Sequence, residues 1–371
     1  GFQNDTIHVS SKNQQLDIVL RDGVELNEVN IVTRKLGTMK LRSSVMNEDM
    51  ISSAELSRAA CCNLGESFVT NPSVDVSYSD AATGAKQIKL LGLSGTYVQM
   101  LTENIPNYRG AAAPYGLGYV PGPWMQSIQV SKGTSSVKNG YEAITGQINV
   151  EFKKPQLPEA DWVSANLFAS TTNRYEANAD ATLKLSKRWS TSLLAHYENE
   201  TKAHDGNDDG FVDIPQVEQY NVWNRWAYMG DHYVFQAGIK ALSETRTSGQ
   251  ANHGGTMHSG DLYKVGIDTE RYEFFTKNAY IFNKEKNTNL ALILSTTLHN
   301  QDATYGRKLY NVDQTNVYAS LMFETEFNPQ NSFSAGLSFN YDAYDQHYRL
   351  ENTTDNPLKA FEKEAVPGAY V

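Results

Sequence analysis

The second half of the chain consists of long segments in which apolar and polar residues alternate. From Asp161 onward we count about nine segments with the period of two that is typical of β-strands. In one of them Phe333 and Leu337 share one face, while Ser334 and Asp342 share the other. Several segments are longer than the roughly 5–6 residues usual for globular strands. This regular alternation constrains the fold more than any other feature of the sequence.

The connections between these segments alternate between short and long. The short ones lie near 186–188, 230–231, 283–288 and 328–331, and the long polar ones near 202–218, 247–266 and 301–314. An up-and-down antiparallel barrel that gathers its long loops at one end produces this alternation, as outer-membrane barrels do. A soluble sandwich mixes loop lengths at its two ends, so the pattern favours the barrel.

Composition narrows the class of protein further. A formal net charge of −10 argues against a nucleic-acid partner, because phosphate binding needs a basic face. No stretch approaches the ~20 apolar residues of a membrane helix, but a membrane barrel alternates residue types and does not need one. The 21 Tyr, 14 Phe and 5 Trp fit aromatic girdles. The adjacent Cys61 and Cys62 cannot form a disulfide framework, and we expect two small buried residues on one helix.

Residues 51 to about 155 have a different character. Apolar residues from Leu56 to Leu64 recur at helical spacing, and several short strands with Gly- and Pro-rich turns follow. The segment ends in a strand, a loop and a second strand that together contain three glycines. We therefore expect a compact α+β module of about 100 residues ahead of the β-rich region.

The end of this module resembles the closing motif of the plug domain of TonB-dependent outer-membrane receptors. The matching residues are Lys132, Gly133, Gly140, Gly146 and Asn149, with Ser135 as the loop serine. Three departures from the family pattern occur: Gln147 stands where a second Gly is common, Leu91 replaces an Arg, and the pair Glu103–Asn104 replaces Asp-Gly.

The resemblance implies an α+β plug domain inside a transmembrane antiparallel β-barrel of about 22 strands, of which about 9–10 are present here. The domains it implies are 1–24, the end of a carboxypeptidase-regulatory-like domain; 25–50, a TonB box and linker; 51–157, the plug; and 158–371, the N-terminal part of the barrel. An open edge in lipid is not viable, so we expect a second chain or missing residues to complete the barrel.

The segment "ELNEVNIVTRK" is similar to a TonB box, an extended peptide that the energy-transducing protein TonB captures by β-strand addition. The residues expected to bind TonB are Glu28, Val29, Asn30, Ile31 and Val32. The alternative is an ordinary strand of a small N-terminal domain.

Candidate ligand residues follow from the resemblance and from two loops. The expected contacts on the outer apices of the plug are Tyr97, Gln99, Met100, Tyr108 and Tyr115. Oxygen ligands at Ca²⁺-loop spacing occur at Asp205, Asn207, Asp209 and Asp213, with a solvated acidic turn as the alternative. Imidazole and thioether groups that would suit copper occur at His253, Met257 and His258, with plain polar loop residues as the alternative.

The function that the resemblance implies is TonB-dependent import of a scarce nutrient across the bacterial outer membrane. We expect a ferric siderophore or similar metal complex, with cobalamin, haem or copper as alternatives in the same fold. A secreted Ca²⁺-binding β-protein and a passive porin are the alternatives from other classes. We expect no enzymatic activity and no required cofactor; a structural Ca²⁺ is a candidate ligand of the acidic loop and not a requirement. Lipid and lipopolysaccharide are the expected surroundings.

Overall fold

The computed structural model describes residues 38–40, 47–59, 62–69, 71–93, 95–133, 137–157, 161–251, 262–328, 331–351 and 358–371. These residues belong to one compact unit, Gly37–Val371. Within it a small mixed domain packs against one face of a large antiparallel sheet.

The large sheet contains ten strands, each antiparallel to the next along the chain. They are β9 (Val163–Ala169), β10 (Arg174–Lys184), β11 (Trp189–Glu200), β12 (Gln216–Met229), β13 (Tyr233–Gly249), β14 (Lys264–Asn283), β15 (Thr288–Tyr305), β16 (Lys308–Asn328), β17 (Asn331–Leu350) and β18 (Leu358–Tyr370). The predicted meander of long strands is confirmed, and the longest strands run beyond the expected bounds.

One predicted loop is wrong. The segment 301–314 is not a long connection, because β15 and β16 pair up to a tight turn at Gly306–Arg307. Residues on this part of the hairpin still alternate: Ala303 and Val312 are buried, and Asp302 and Asn311 are exposed. The polar residues of this segment suggested a loop. A strand whose outer side chains are exposed to solvent is also rich in polar residues, so composition alone does not distinguish the two.

The two faces of the sheet have inverted polarity. Side chains that point toward the small domain are buried and often charged, such as Lys240, Glu244 and Arg271. Side chains on the opposite face are apolar and exposed, such as Ile239 and Leu298. A wall with a polar inner face and an apolar outer face is typical of membrane barrels. Among the described helices, none has the length and apolar character needed to cross a bilayer.

The small domain contains a six-stranded sheet in the order β1-β2-β7-β8-β5-β6 and a separate hairpin of β3 and β4. Its strands are β1 (Thr38–Lys40), β2 (Asn47–Ser52), β3 (Val74–Asp80), β4 (Ala85–Leu90), β5 (Val98–Thr102), β6 (Ile105–Pro106), β7 (Met125–Lys132) and β8 (Gly146–Phe152). Neighbouring strands are antiparallel except β5 and β8, which are parallel.

The helical part of this domain is shorter than its apolar spacing predicts. Helix α1 (Ser53–Arg58) begins at the N-cap Ser52, and a 3₁₀ turn, Leu64–Phe68, begins at the N-cap Asn63. Further 3₁₀ turns are Gly95–Tyr97, Gly110–Ala112, Gly122–Trp124 and Val137–Asn139. Cys62 is buried as expected, but it lies between two helical segments rather than on one helix, because Asn63 starts a new turn. Cys61 lies outside the described residues.

The apolar core of the small domain continues into the wall. Trp124 and Phe152 are fully buried, and both rings contact Trp223 of β12. The Phe152 and Trp223 rings meet edge to face with centroids 4.6 Å apart. Leu194 and Phe275 extend this cluster along the wall. Apolar packing therefore fixes one side of the domain, and polar contacts make the rest of the interface.

Candidate functional site

The three glycines of the closing motif lie where the chain turns between β7 and β8. The backbone φ angles of Gly133, Gly140 and Gly146 are +86°, +116° and +156°, respectively. A Cβ on Gly146 would collide with the carbonyl oxygen of Ser131 and with the side chain of Leu90. Only glycine fits this position without moving backbone, which explains one of the motif glycines physically.

The other two motif residues join strands of the small domain. The Lys132 ammonium lies 2.6 Å from the Asp49 carboxylate on β2. The buried Asn149 side chain accepts a hydrogen bond from the backbone N–H of Asn104 at 2.8 Å and donates to Gln129 at 3.2 Å. Asn149 therefore holds the turn between β5 and β6 in place.

That turn carries the most buried ionic contact between the small domain and the wall. Glu103 and Asn104 both have positive φ, at 50° and 64°. The Glu103 carboxylate accepts a hydrogen bond from Arg225 of β12 at 2.6 Å and lies 3.6 Å from the ammonium of Lys277 on β14. Burial alone would raise the pKa of Glu103, but the charges of Arg225 and Lys277 outweigh it and lower the pKa. Sequence reasoning missed this anchor, although Glu103 stood out as a departure from Asp-Gly.

A second attachment surrounds Tyr108. Its hydroxyl accepts a hydrogen bond from Lys240 of β13 at 3.1 Å, and burial raises its pKa well above the usual value. The neighbouring Asn107 donates to Glu273 at 2.9 Å and accepts from Arg271 at 2.5 Å. These contacts connect the two residues that follow β6 to strands β13 and β14.

A third attachment is a charged pocket of about 180 Å³ between the small domain and strands β10–β13. Arg174 at its wall contacts Glu66 at 2.8 Å, Glu176 at 2.7 Å and Glu198 at 2.9 Å. Burial opposes ionisation of Glu66, but the Arg174 charge outweighs it and lowers its pKa. Burial raises the pKa of the nearby Cys62 thiol, so the thiol form is favoured.

A cleft of about 520 Å³ opens on the small domain beside β17. Arg109 at its edge contacts Glu142 at 2.6 Å and the buried Asp342 of β17 at 3.1 Å. Met100 and Tyr108, both expected as ligand contacts, line this cleft.

The other three expected ligand contacts lie elsewhere. Gln99 is buried, donates to the Asn139 carbonyl at 2.7 Å and lines a cavity of about 160 Å³. Tyr115 lines the charged pocket. Tyr97 is exposed, and its carbonyl accepts a hydrogen bond from the Thr145 backbone at 3.0 Å. The five residues therefore do not form one cluster, and their role in ligand binding stays a prediction.

The acidic loop from Asp205 to Asp213 forms hydrogen bonds within itself. Asp205 accepts from the Gly210 N–H at 2.8 Å, and Asp213 accepts from the Gly206 N–H at 2.6 Å. Across the described residues, no group of three or more His, Cys, Asp and Glu side chains is arranged to hold a metal ion. Ca²⁺ binding here stays a prediction. Outside the described residues lie Glu28–Val32, Ser135, His253, Met257 and His258.

Comparison with known proteins agrees with this geometry. Residues 40–147 match the family described as TonB-dependent Receptor Plug Domain. The vitamin B12 transporter BtuB of Vibrio vulnificus (strain CMCP6) is 24% identical over 185 residues, which are 50% of this chain and 30% of that protein. The chain is thus similar in sequence to a transporter of which it spans less than a third.

Solved structures show the same fold at low identity. The copper transporter OprC matches with a TM-score of 0.68 at 12% identity, over 90% of this chain and 52% of that one. The pyoverdine receptor FpvA from Pseudomonas aeruginosa PAO1 matches with a TM-score of 0.67 at 12% identity, over 86% and 51%. The ferric yersiniabactin receptor FyuA from Yersinia pestis matches with a TM-score of 0.58 at 13% identity, over 87% and 61%. The chain therefore spans about half the length of these solved receptors.

Proposed function

Because the chain belongs to the TonB-dependent receptors of the bacterial outer membrane and contains a plug domain and ten strands of barrel wall, we propose that it acts in energy-coupled import of a scarce nutrient. The family is one of transporters and receptors rather than enzymes. The small domain is called the plug from here on.

The observation that carries the proposal is the polar attachment of the plug to the wall. Glu103, Asn107 and Arg109 of the plug each contact a charged side chain of the wall. A buried ion pair contributes little net free energy to an interface, because the cost of taking both charges out of water offsets their mutual attraction. Such an interface supports the proposal because its polar contacts can be exchanged for contacts with water when a mechanical force pulls on the plug.

The pull is proposed to come from TonB, acting on Glu28–Val32. The β-branched residues Val29, Ile31 and Val32 suit an extended peptide that adds to a sheet edge, where main-chain hydrogen bonds provide the affinity. This part of the proposal rests on the sequence.

The proposed cargo is a ferric siderophore or similar metal complex. The relatives support a range of cargoes: their names specify pyoverdine, ferric yersiniabactin, copper and vitamin B12. Cobalamin, haem and copper are therefore the alternatives to be tested within the same fold.

The experiment is uptake by cells that produce the full-length receptor. Labelled ferric siderophores, cobalamin, haem and copper are offered with and without a protonophore, and in a variant lacking Glu25–Val32. We expect one cargo to accumulate only in energised cells that carry the intact receptor. Uptake that survives both treatments would indicate a passive porin and would contradict the proposal.

A further inference from the structure

The cleft beside β17 has the size and lining of a small-molecule site. Its volume of about 520 Å³ falls within the roughly 300–1,000 Å³ typical of such sites. Ile88, Val98, Met100 and Leu117 provide apolar surface, and Tyr108 provides an aromatic ring. Transfer of a ligand with a mainly apolar surface from water into this cleft would therefore cost little free energy.

The cleft lies toward the end of the sheet that carries the long loops. A Cβ on Gly110, at the cleft margin, would collide with the hydroxyl of Tyr344 and the amide of Gln314. Tyr344 lies six residues before the end of β17 at Leu350, and Gln314 lies six residues after the start of β16 at Lys308, so both are in the half of their strands nearer that end. The plug backbone at Gly110 is thus in close contact with the wall, and Tyr344 of the wall itself lines the cleft.

The charges at the cleft cancel. The one arginine in its lining, Arg109, is shared between the carboxylates of Glu142 and Asp342, at 2.6 and 3.1 Å. Burial alone would lower the pKa of Arg109, but the two carboxylates outweigh it and raise the pKa, so the guanidinium stays charged and paired. One positive charge against two carboxylates leaves no positive excess at this edge.

The one lysine in the lining, Lys86, directs its charge elsewhere. Its ammonium lies 5.4 Å from the centroid of the Tyr78 ring. Burial lowers the pKa of Lys86, and the charge of Glu66 offsets this only in part. Tyr78 and Glu66 line the charged pocket and not the cleft. Of the two cations in the described lining of the cleft, Arg109 is paired with carboxylates, and the Lys86 ammonium lies over the Tyr78 ring of the charged pocket, which Lys86 also lines.

We propose that this cleft selects an uncharged, amphipathic metal complex and discriminates against multiply anionic complexes. Proteins recognise anionic groups with arginine and lysine clusters, and a charge moved into an apolar cleft without a partner is costly. The inference rests on the proposed import function, whose cargo class it narrows.

The test is equilibrium binding to the purified full-length receptor in detergent, which needs no energy source. The probes are a neutral ferric hydroxamate complex and a multiply anionic ferric catecholate complex, each titrated with tryptophan fluorescence as the readout. We expect the neutral complex to bind at least ~10-fold more tightly, since one uncompensated charge is worth more than the ~1.4 kcal/mol of a tenfold change. Equal or tighter binding of the catecholate overturns the inference, and so does binding of neither complex.

Variants locate the site. Met100→Gln should weaken binding of the neutral complex by about 10-fold, because a polar amide replaces apolar surface that the bound complex would cover. The matched control Leu93→Gln, on an exposed plug residue outside the cleft, should leave the affinity unchanged. Glu142→Lys should reduce the preference for the neutral complex. Equal effects of Met100→Gln and Leu93→Gln would exclude the cleft as the binding site.

Different experimental outcomes would contradict the import proposal and the proposal about the cleft. Preferential binding of the neutral complex without energy-dependent uptake would support the cleft and contradict import. Energy-dependent uptake of an anionic cargo would support import and overturn the cleft's selectivity.

Discussion

The Glu103 carboxylate and the Arg225 guanidinium lie 2.6 Å apart, with both side chains buried where the plug meets the barrel wall. Arg225 also donates to the carbonyl of Lys153 at 2.7 Å, just after the last plug strand. One arginine of the wall thus holds the β5–β6 turn and the exit of the chain from the plug. This pair is the natural place to test how firmly the plug is attached.

Glu103→Gln should loosen the plug. It leaves the buried Arg225 without its counter-charge, and breaking a buried pair from one side typically costs about 3–5 kcal/mol. Hydrogen exchange of the amides of β5 and β6 in the full-length receptor measures the loss. The control Glu324→Gln removes a half-exposed partner of Lys138 and should cost about 0–1 kcal/mol. Equal protection in the two variants would contradict the anchor.

Gly146→Ala should destabilise the plug far more than Gly133→Ala. Both glycines have positive φ, so each substitution costs about 1–2 kcal/mol in backbone strain. A Cβ at Gly146 also collides with backbone, whereas a Cβ at Gly133 meets nothing within 4 Å. Limited proteolysis of the purified receptor should release the plug segment in the Gly146 variant first. Similar cleavage rates in the two variants would show that close packing at Gly146 is unimportant.

The attachment through Glu103 should weaken only in acid. Its folded pKa is lowered from the ordinary value of 4.5, so its contribution to stability is complete above that value. The contribution is lost as the pH falls from about 4.5 through the folded pKa. Amide protection of β5 and β6 should therefore be constant between pH 7 and about 5 and fall below that, and Glu103→Gln should flatten the profile in the acid range. A transition centred above about pH 6 would contradict the lowered pKa.

Arg109→Met should destabilise the junction of the plug with β17. It removes the charge partner of the fully buried Asp342, which would keep only neutral amide donors from Gln314, Asn316 and Asn340. Hydrogen bonds to charged groups are worth about 1.5–3 kcal/mol, and we expect a loss of that size. The control Arg188→Met breaks an exposed 2.6 Å pair with Asp231 and should cost at most about 1 kcal/mol. Thermal unfolding of the purified receptor compares the two.

Local sequence features predicted the parts of the fold that depend on neighbours along the chain. The alternation around Phe333–Tyr341 predicted a long strand, and the structure places Leu337 and Phe339 on the outer face and Asn340 and Asp342 on the inner face. The alternation did not separate strand from loop at 301–314, because strand residues that meet solvent on their outer face are as polar as loop residues. Apolar spacing from Leu56 to Leu64 likewise overestimated the helix, which ends at Arg58, and Asn63 caps a separate 3₁₀ turn.

The sequence by itself determined the up-and-down order of the long strands, most of their approximate bounds and the family motif, because period-two alternation and glycine placement are local properties. Only the tertiary structure decided which charges meet. Glu103 and Arg225 are 122 residues apart, and Gln314 reaches the plug backbone at Ala111 across 203 residues. Such contacts depend on strand register and on the seating of the plug against the wall. Both are set by the packing of the whole fold, so no short segment of the sequence contains them.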